Sequence, residues 1–282
     1  MKIGISTSIF WKTPTDISNC FAVIKKAGFD FVELDCHNLF NHISSSSVQK
    51  IKNALRETDL KVSSAHMPYF YPLSSPEAGV RKSAVKSYKK TIDEFINKIF
   101  EFSYIADSLT LVFHPGVGTE KIERESQQTG IEKGIKELYD AIGSDARFKL
   151  AFENMLSSHF GSKPEELNFI AGVMNSFNEN NSGLCFDSCH AAYDYAPHDF
   201  LESIIENVVS THLSDNYRQS EGEFHAVPMS IIHSKTNWKK ISALLSNKIE
   251  CAIIELSKPP AISFDAYLKM AKISADELAK NI

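Results

Sequence analysis

Eight short apolar, strand-like runs recur along the chain. They are KIGIS at 2–6, FVELD at 31–35, KVSSAH at 61–66, LTLVFH at 109–114, KLAFEN at 149–154, GLCFD at 183–187, VVSTHL at 208–213 and CAIIEL at 251–256. Several are nearly continuous apolar stretches, the pattern of strands covered on both faces. Between them the spacing turns helical. Asp16 is placed to cap a helix running to about Ala27, with Gly28 as its C-terminal stop. Ser75-Pro76-Glu77 is a helix start, and Val85, Tyr88, Ile92, Phe95, Ile96 and Ile99 continue at helical spacing to about Phe102. Ser162 and Pro164-Glu165-Glu166 open another helix, Asn237-Trp238 a further one, and the last predicted helix spans about Phe264 to Lys280. The serine run Ser44–Ser47 reads as a loop or a helix start.

Strict alternation of strand and helix predicts an α/β fold, a single (β/α)8 TIM barrel over residues 1–282. Nothing in the chain resembles an interdomain linker. The alternative, an open doubly wound sheet, would spread the strand ends along a wider edge. In a closed parallel barrel all C-terminal strand ends surround one mouth, where the active site is expected.

That geometry changes the meaning of the strand ends. Six of the eight runs end in a metal-type ligand: His66, His114, Glu153, Asp187, His212 and Glu255. Glu153, Asp187, His212 and Glu255 together offer carboxylate oxygens and one imidazole, a donor set for Mn, Mg, Co or Zn. Each alone reads equally as a solvated loop residue. His190, three residues past Asp187, is placed to bind metal or a substrate hydroxyl. His66 is a further substrate contact or ligand, and the Pro115-Gly116 turn would leave His114 at the rim. Glu223 and His225 share a side in an extended chain and form a further candidate pair. Arg218 is placed to grip a sugar hydroxyl or a phosphate, or is a surface arginine. Tyr69, Phe70 and Tyr71 read first as core and second as a substrate wall, and His37 lies close enough to reach the mouth.

Composition narrows the function classes. The formal net charge of −5 opposes a general nucleic-acid binder, and residues 36–49 after the second strand contain no Lys or Arg. The five cysteines form no CxxC pair, and with no signal-peptide pattern this implies a cytoplasmic protein. No apolar run approaches the ~18 residues of a membrane span. The absence of a P-loop or dinucleotide fingerprint implies no nucleotide cofactor.

SSAHMP, VFHPG, AFENM, CFDSCHA, THLSDN, Glu223-x-His225 and IIEL, in that order, resemble the xylose isomerase-like TIM barrel superfamily. The resemblance also takes in the endonuclease IV (AP endonuclease family 2) barrels. It implies one of two chemistries. In sugar and sugar-phosphate isomerases and epimerases, one divalent ion is held by the residues matching Glu153, Asp187, His212 and Glu255. The two glutamates also act as acid and base, and the residues matching His190 and Arg218 contact substrate. In endonuclease IV, three zinc ions use the residues matching His66, His114, Glu153, Asp187, His190, His212, His225 and Glu255, with an aspartate where this chain has Glu223. The family's Pro-Pro-Gly-x-Gly stretch after Asp-x-His is replaced here by His225-Ala-Val-Pro228-Met-Ser.

The charge pattern and Arg218 favour the first chemistry: a metal-dependent isomerase or epimerase of a sugar or sugar phosphate, working by proton transfer through an enediolate. Zinc-dependent phosphodiester hydrolysis is the alternative. The expected partner is a small sugar, with no nucleic acid and no membrane. Oligomeric state is left open, since barrels of this kind often self-associate as homo-oligomers.

Overall fold

The computed structural model describes every residue except 11–16, 38–44, 70, 101–104, 117–118, 120, 144, 179–180, 217–223, 231–233 and 281–282. In chain order its elements begin β1 (Lys2–Ser6), α1 (Ile17–Lys26), β2 (Phe31–Asp35), α2 (Ser45–Thr58), β3 (Lys61–His66), α3 (Ala78–Thr91), α4 (Asn97–Phe100) and β4 (Ile105–Phe113). They continue α5 (Arg124–Leu138), β5 (Phe148–Glu153), α6 (Pro164–Asn178), β6 (Ser182–Asp187), α7 (Ser188–Asp194), α8 (Pro197–Ile204) and β7 (Val208–Leu213). The short strands β8 (Asp215–Asn216) and β9 (His225–Ala226), then α9 (Trp238–Leu245), β10 (Cys251–Ile254) and α10 (Phe264–Lys280), complete the order.

Eight of the strands close into a barrel in the order β1-β10-β7-β6-β5-β4-β3-β2. All its pairings are parallel. This is the (β/α)8 TIM barrel expected from the alternation. The open-sheet alternative is excluded because β1 pairs with both β2 and β10. β8 and β9 form an antiparallel ribbon beyond β7, which the sequence pattern did not show. The main core lies between strands and helices. Inside the barrel, Val112, Ala151 and Cys185 form a small separate apolar cluster.

Local signals were read well where a side chain or a backbone angle fixes the end. Gly28 stops α1 with φ +96°, a left-handed angle that glycine adopts without steric cost. Asn237 caps α9 by accepting from Lys240 N at 3.1 Å. Glu166 accepts from Gly161 N at 2.8 Å and Ser162 N at 3.2 Å, tying the turn that precedes α6 back onto the first turn of the helix. The helix predicted from Ser75 to Phe102 is instead interrupted: a π-helical turn at Ile92–Ile96 separates α3 from α4. The wider turn keeps Ile92, Phe95, Ile96 and Ile99 all buried. β4 starts four residues earlier than its apolar run, at Ile105, because Ile105 pairs with Val62 across a register shift.

One helix contact sets a loop of the mouth. Gly130 and Gly134, one turn apart on α5, face the segment after β3, and a Cβ at either would overlap the carbonyl oxygen of Ser74 or Leu73. Only a helix without side chains at these points can lie that close to the backbone. The Gly134→Ala variant is therefore expected to lose roughly 1–3 kcal/mol of stability through overpacking. Gly172, on α6, has nothing within 4 Å of a Cβ. Gly172→Ala is expected to be stabilising by about 0.5–1 kcal/mol. Urea denaturation of the two variants checks both signs.

Candidate functional site

The strand ends gather the predicted residues at one mouth. His66, Glu153 and Asp187 are the last residues of β3, β5 and β6, His212 is the penultimate residue of β7, and Glu255 directly follows β10. Register explains the convergence: His212 pairs with Asp187 on one side and with Ile253 on the other.

Two side chains stitch this rim together. Asn154 extends β5 by donating its amide to Asp187 O at 2.9 Å and accepting from Asp187 N at 2.6 Å. Ser188 links β6 to the end of β7 in the same way. It accepts from Ser214 N at 2.8 Å and donates to Ser214 O at 2.7 Å. Asp187 Oδ1 then caps α7 by accepting from His190 N at 2.7 Å, and His190 Nδ1 donates to Asn154 O at 2.8 Å. His190 is thus placed by the residue it was expected to accompany.

Glu153 is the hub. Its Oε2 lies 3.1 Å from His66 Nε2 and 3.0 Å from His114 Nε2, and its Oε1 lies 2.9 Å from His212 Nδ1. His212 Nδ1 is also 3.2 Å from Glu255 Oε2 and 3.9 Å from Asp187 Oδ2. His225, on β9, contacts Ser214 Oγ through Nδ1 at 2.9 Å and lies 3.7 Å from Asp187 Oδ2.

These groups titrate against one another. Burial alone would lower His66, but the hydrogen bond and charge of Glu153 outweigh it and lift the imidazole to about 9. Burial likewise opposes the charge on His212, yet the surrounding acidic groups hold it well above its ordinary value. Burial would raise Glu153; the charges and hydrogen bonds of His212 and His114 hold it well below the carboxylate range. For His114, burial dominates and the ring falls to about 4 despite Glu153.

The donor chemistry fits a divalent cation. Asp187 Oδ2 is buried and accepts no hydrogen bond. An anionic oxygen in that state is costly unless a cation supplies the missing interaction. Donor atoms of Glu153, Asp187, His212 and Glu255 all lie within 4.8 Å of one another. Adjacent ligands on an ion with bonds of about 2.1 Å stand about 3.0 Å apart. The 2.9 and 3.2 Å spacings from His212 Nδ1 to Glu153 and Glu255 match that separation. Two overlapping groups, His66–Glu153–His212 and Asp187–His190–His225, are also close enough to hold an ion.

Above the cluster is a cavity of about 350 Å³, lined among others by Ser8, Asp35, His66, Tyr69, His114, Glu153, His190, His225 and Glu255. Tyr69 is a wall of this cavity rather than core, and the His37 ring packs against it, tilted by 35° with centroids 4.0 Å apart. On the opposite wall, Met155, Leu156 and His159 come from the segment after β5. Arg124 fixes that segment by donating to His159 O at 2.6 Å and Ser157 O at 2.7 Å. Arg218 and Glu223 lie outside the described residues.

Three contributors escaped the sequence reading. Asp35 ends the FVELD run and faces the cavity, a seventh strand-end residue of metal-ligand type visible in the same pattern. Glu33, two residues earlier, is fully buried, and its signal was a carboxylate inside an otherwise apolar strand. His159 had no sequence signal, because only the fold of its loop brings it to the mouth.

Comparison with known proteins bears on the family and the fold. The chain belongs to the xylose isomerase-like TIM barrel family, whose model matches residues 21–262. A curated relative, "Probable endonuclease 4" of Campylobacter fetus subsp. fetus, is 25% identical over 214 residues, covering 71% of this chain and 73% of that protein. Among solved structures, a D-tagatose 3-epimerase-like protein superposes with TM-score 0.76 at 21% identity, covering 100% of this chain and 97% of its own. The IOLI protein with a bound zinc atom superposes with TM-score 0.78 at 14% identity, covering 100% and 99%. At these identities the superpositions speak for the fold.

The titration pattern sets a pH dependence for the metal-free protein. His66 is raised from 6.5 to about 9, so its stabilising contribution is complete below pH 6.5 and is lost as pH rises through about 9. Each proton retained in this window adds a slope of about 1.4 kcal/mol per pH unit. Urea denaturation of chelator-treated protein should show stability falling between pH 6.5 and 9. His66→Gln should make that limb shallower, leaving the part that His212 contributes.

Proposed function

We propose that this family member is a divalent-metal-dependent isomerase or epimerase of a small sugar or sugar phosphate. The observation that carries the reading is the joining of a four-residue donor group, Glu153, Asp187, His212 and Glu255, to a cavity of about 350 Å³. That volume is at the lower end of the roughly 300–1,000 Å³ of small-molecule sites. The epimerases among the fold neighbours support the same direction.

In this reading Glu153, Asp187, His212 and Glu255 hold a Mn, Mg, Co or Zn ion. When bound, the ion supplies a Lewis acid for the oxyanion that develops as a C–H proton leaves beside the carbonyl. Glu255 and Glu153 move the protons. One carboxylate takes the proton from carbon; for an epimerisation the other returns one to the opposite face. The Glu255 side chain is 16% exposed, against 1% for Glu153. Glu255 is therefore the more open of the two to a substrate carbon. His66 and His190, at the cavity wall, bind substrate oxygens, and Arg218 is assigned to the same task. Tyr69 offers an apolar face beside them and restricts water.

A second reading, hydrolysis of a phosphodiester, is favoured by one observation. Asp187, His190 and His225 form a further donor group beside the first. Two or three ions there would raise the positive charge toward what a phosphodiester transition state needs. The curated endonuclease relative points the same way.

Elemental analysis of untagged protein purified without chelator separates the readings. About one divalent ion per chain, with turnover on a ketose panel, is the expected result. Two or three zinc ions with cleavage of abasic-site DNA would replace it with the second reading. Glu255→Gln is expected to lose about 10²–10⁴-fold in kcat on the ketose substrate, the usual contribution of a placed acid–base group. Full activity in both Glu255→Gln and Glu153→Gln would overturn the assignment.

A further inference from the structure

Beneath the site lies a carboxylate that the proposed chemistry does not use. Glu33 sits inside the barrel on β2, fully buried, two residues before the cavity-facing Asp35. Its Oε2 lies 3.1 Å from His212 Nε2 and accepts from Ser64 Oγ at 2.7 Å, while Oε1 has no hydrogen-bond partner. The opposite nitrogen of the same ring, Nδ1, faces Glu153 and Glu255 at 2.9 and 3.2 Å. His212 therefore spans two layers of the barrel, with carboxylates against both edges of one ring.

We infer that Glu33 is a positioning residue: it accepts the Nε2–H of His212 and so fixes the tautomer that presents the Nδ1 lone pair to the Glu153–Asp187–Glu255 group. The inference rests on the metal reading above. A neutral imidazole carries one proton on one of its two nitrogens, and a carboxylate against Nε2 holds it there. Without that acceptor, the nearby carboxylates would draw the proton to Nδ1, where it blocks a ligand bond. The same contact aligns the ring plane, because His212 is locked at two opposite edges rather than one. Ser64 donates to the same oxygen, so Glu33 is itself held in place, and its register partners on the neighbouring strands are Ser64 and Ser6. Burying a carboxylate this deeply is expensive unless it is paired, and every described contact of Glu33 serves to direct it at His212.

Two measurements test the inference without using catalysis. The first is on the unaltered protein, labelled with ¹⁵N-histidine and loaded with zinc. The His212 signal, identified by its loss in His212→Gln, is expected to show zinc on Nδ1 and the proton on Nε2. Zinc on Nε2 would overturn the inference while leaving the metal site intact. The second is zinc affinity by competition with a chromogenic chelator. Glu33→Leu is expected to weaken binding about 10–100-fold, the usual effect of losing the group that orients a ligating imidazole. Glu33→Gln keeps an acceptor oxygen and should recover part of that loss. Wild-type affinity in a folded Glu33→Leu protein would show that Glu33 only fills space. If that variant does not fold, the spectrum of the unaltered protein decides alone. No zinc uptake by the unaltered protein would overturn the metal reading and this inference with it.

Discussion

The mouth of the barrel depends on one buried carboxylate. Glu153 sits at the end of β5 with the rings of His66, His114 and His212 against its two oxygens. A lone carboxylate in that position would pay a large desolvation penalty. The imidazoles offset it, and they do so only because three different strands deliver them to the same point. The charge state of the whole cluster follows: His66 and His212 are pulled toward the protonated form, and Glu153 toward the ionised one. A divalent cation would replace those protons as the balancing charge. Uptake of such a cation would therefore be coupled to proton release.

Holding such a cluster requires rim strands that do not slide. Parallel pairing around a closed barrel supplies most of that rigidity, and the side chains of Asn154 and Ser188 extend it one step past the last backbone pairs. Asp187 serves three purposes at once. Its backbone is clamped by Asn154, its Oδ1 caps the helix carrying His190, and its Oδ2 remains directed into the donor group without a hydrogen bond. One oxygen is engaged in structure and the other is left without a hydrogen bond. The Glu33–His212 contact below continues the arrangement downward, so the site is supported in depth as well as around its circumference.

The chain's fold neighbours bear epimerase names and its curated relatives endonuclease names. One barrel fold can serve different chemistries, because strand ends and the loops above them vary independently of the scaffold. Here the described walls are Tyr69, backed by His37, and the segment Met155–His159, held by Arg124. They border the cavity of about 350 Å³. The described walls come mostly from loops, and the metal-type residues from strand ends.

The chain's alternation of apolar runs and helical spacing was enough to determine the barrel, because each strand must bury both faces and each helix one. The convergence of six strand-end imidazoles and carboxylates followed from the same pattern, since a closed parallel barrel sends every strand end to one place. Helix ends at Gly28 and Asn237 were legible because a single residue's angle or side chain fixes them. Other features had no local cause. The π-turn at Ile92–Ile96 comes from the need to bury four residues against the barrel, and the early start of β4 from a register shift with β3. His159 reaches the mouth only through a loop fixed by Arg124, 35 residues away in sequence. Glu33 lay in plain view within an apolar run, yet its meaning depends on His212, 179 residues further on. Sequence periodicity reports which face a residue takes within its own element. Which distant side chain meets it there is decided by the closure and stagger of the barrel, and that is a property of the folded whole.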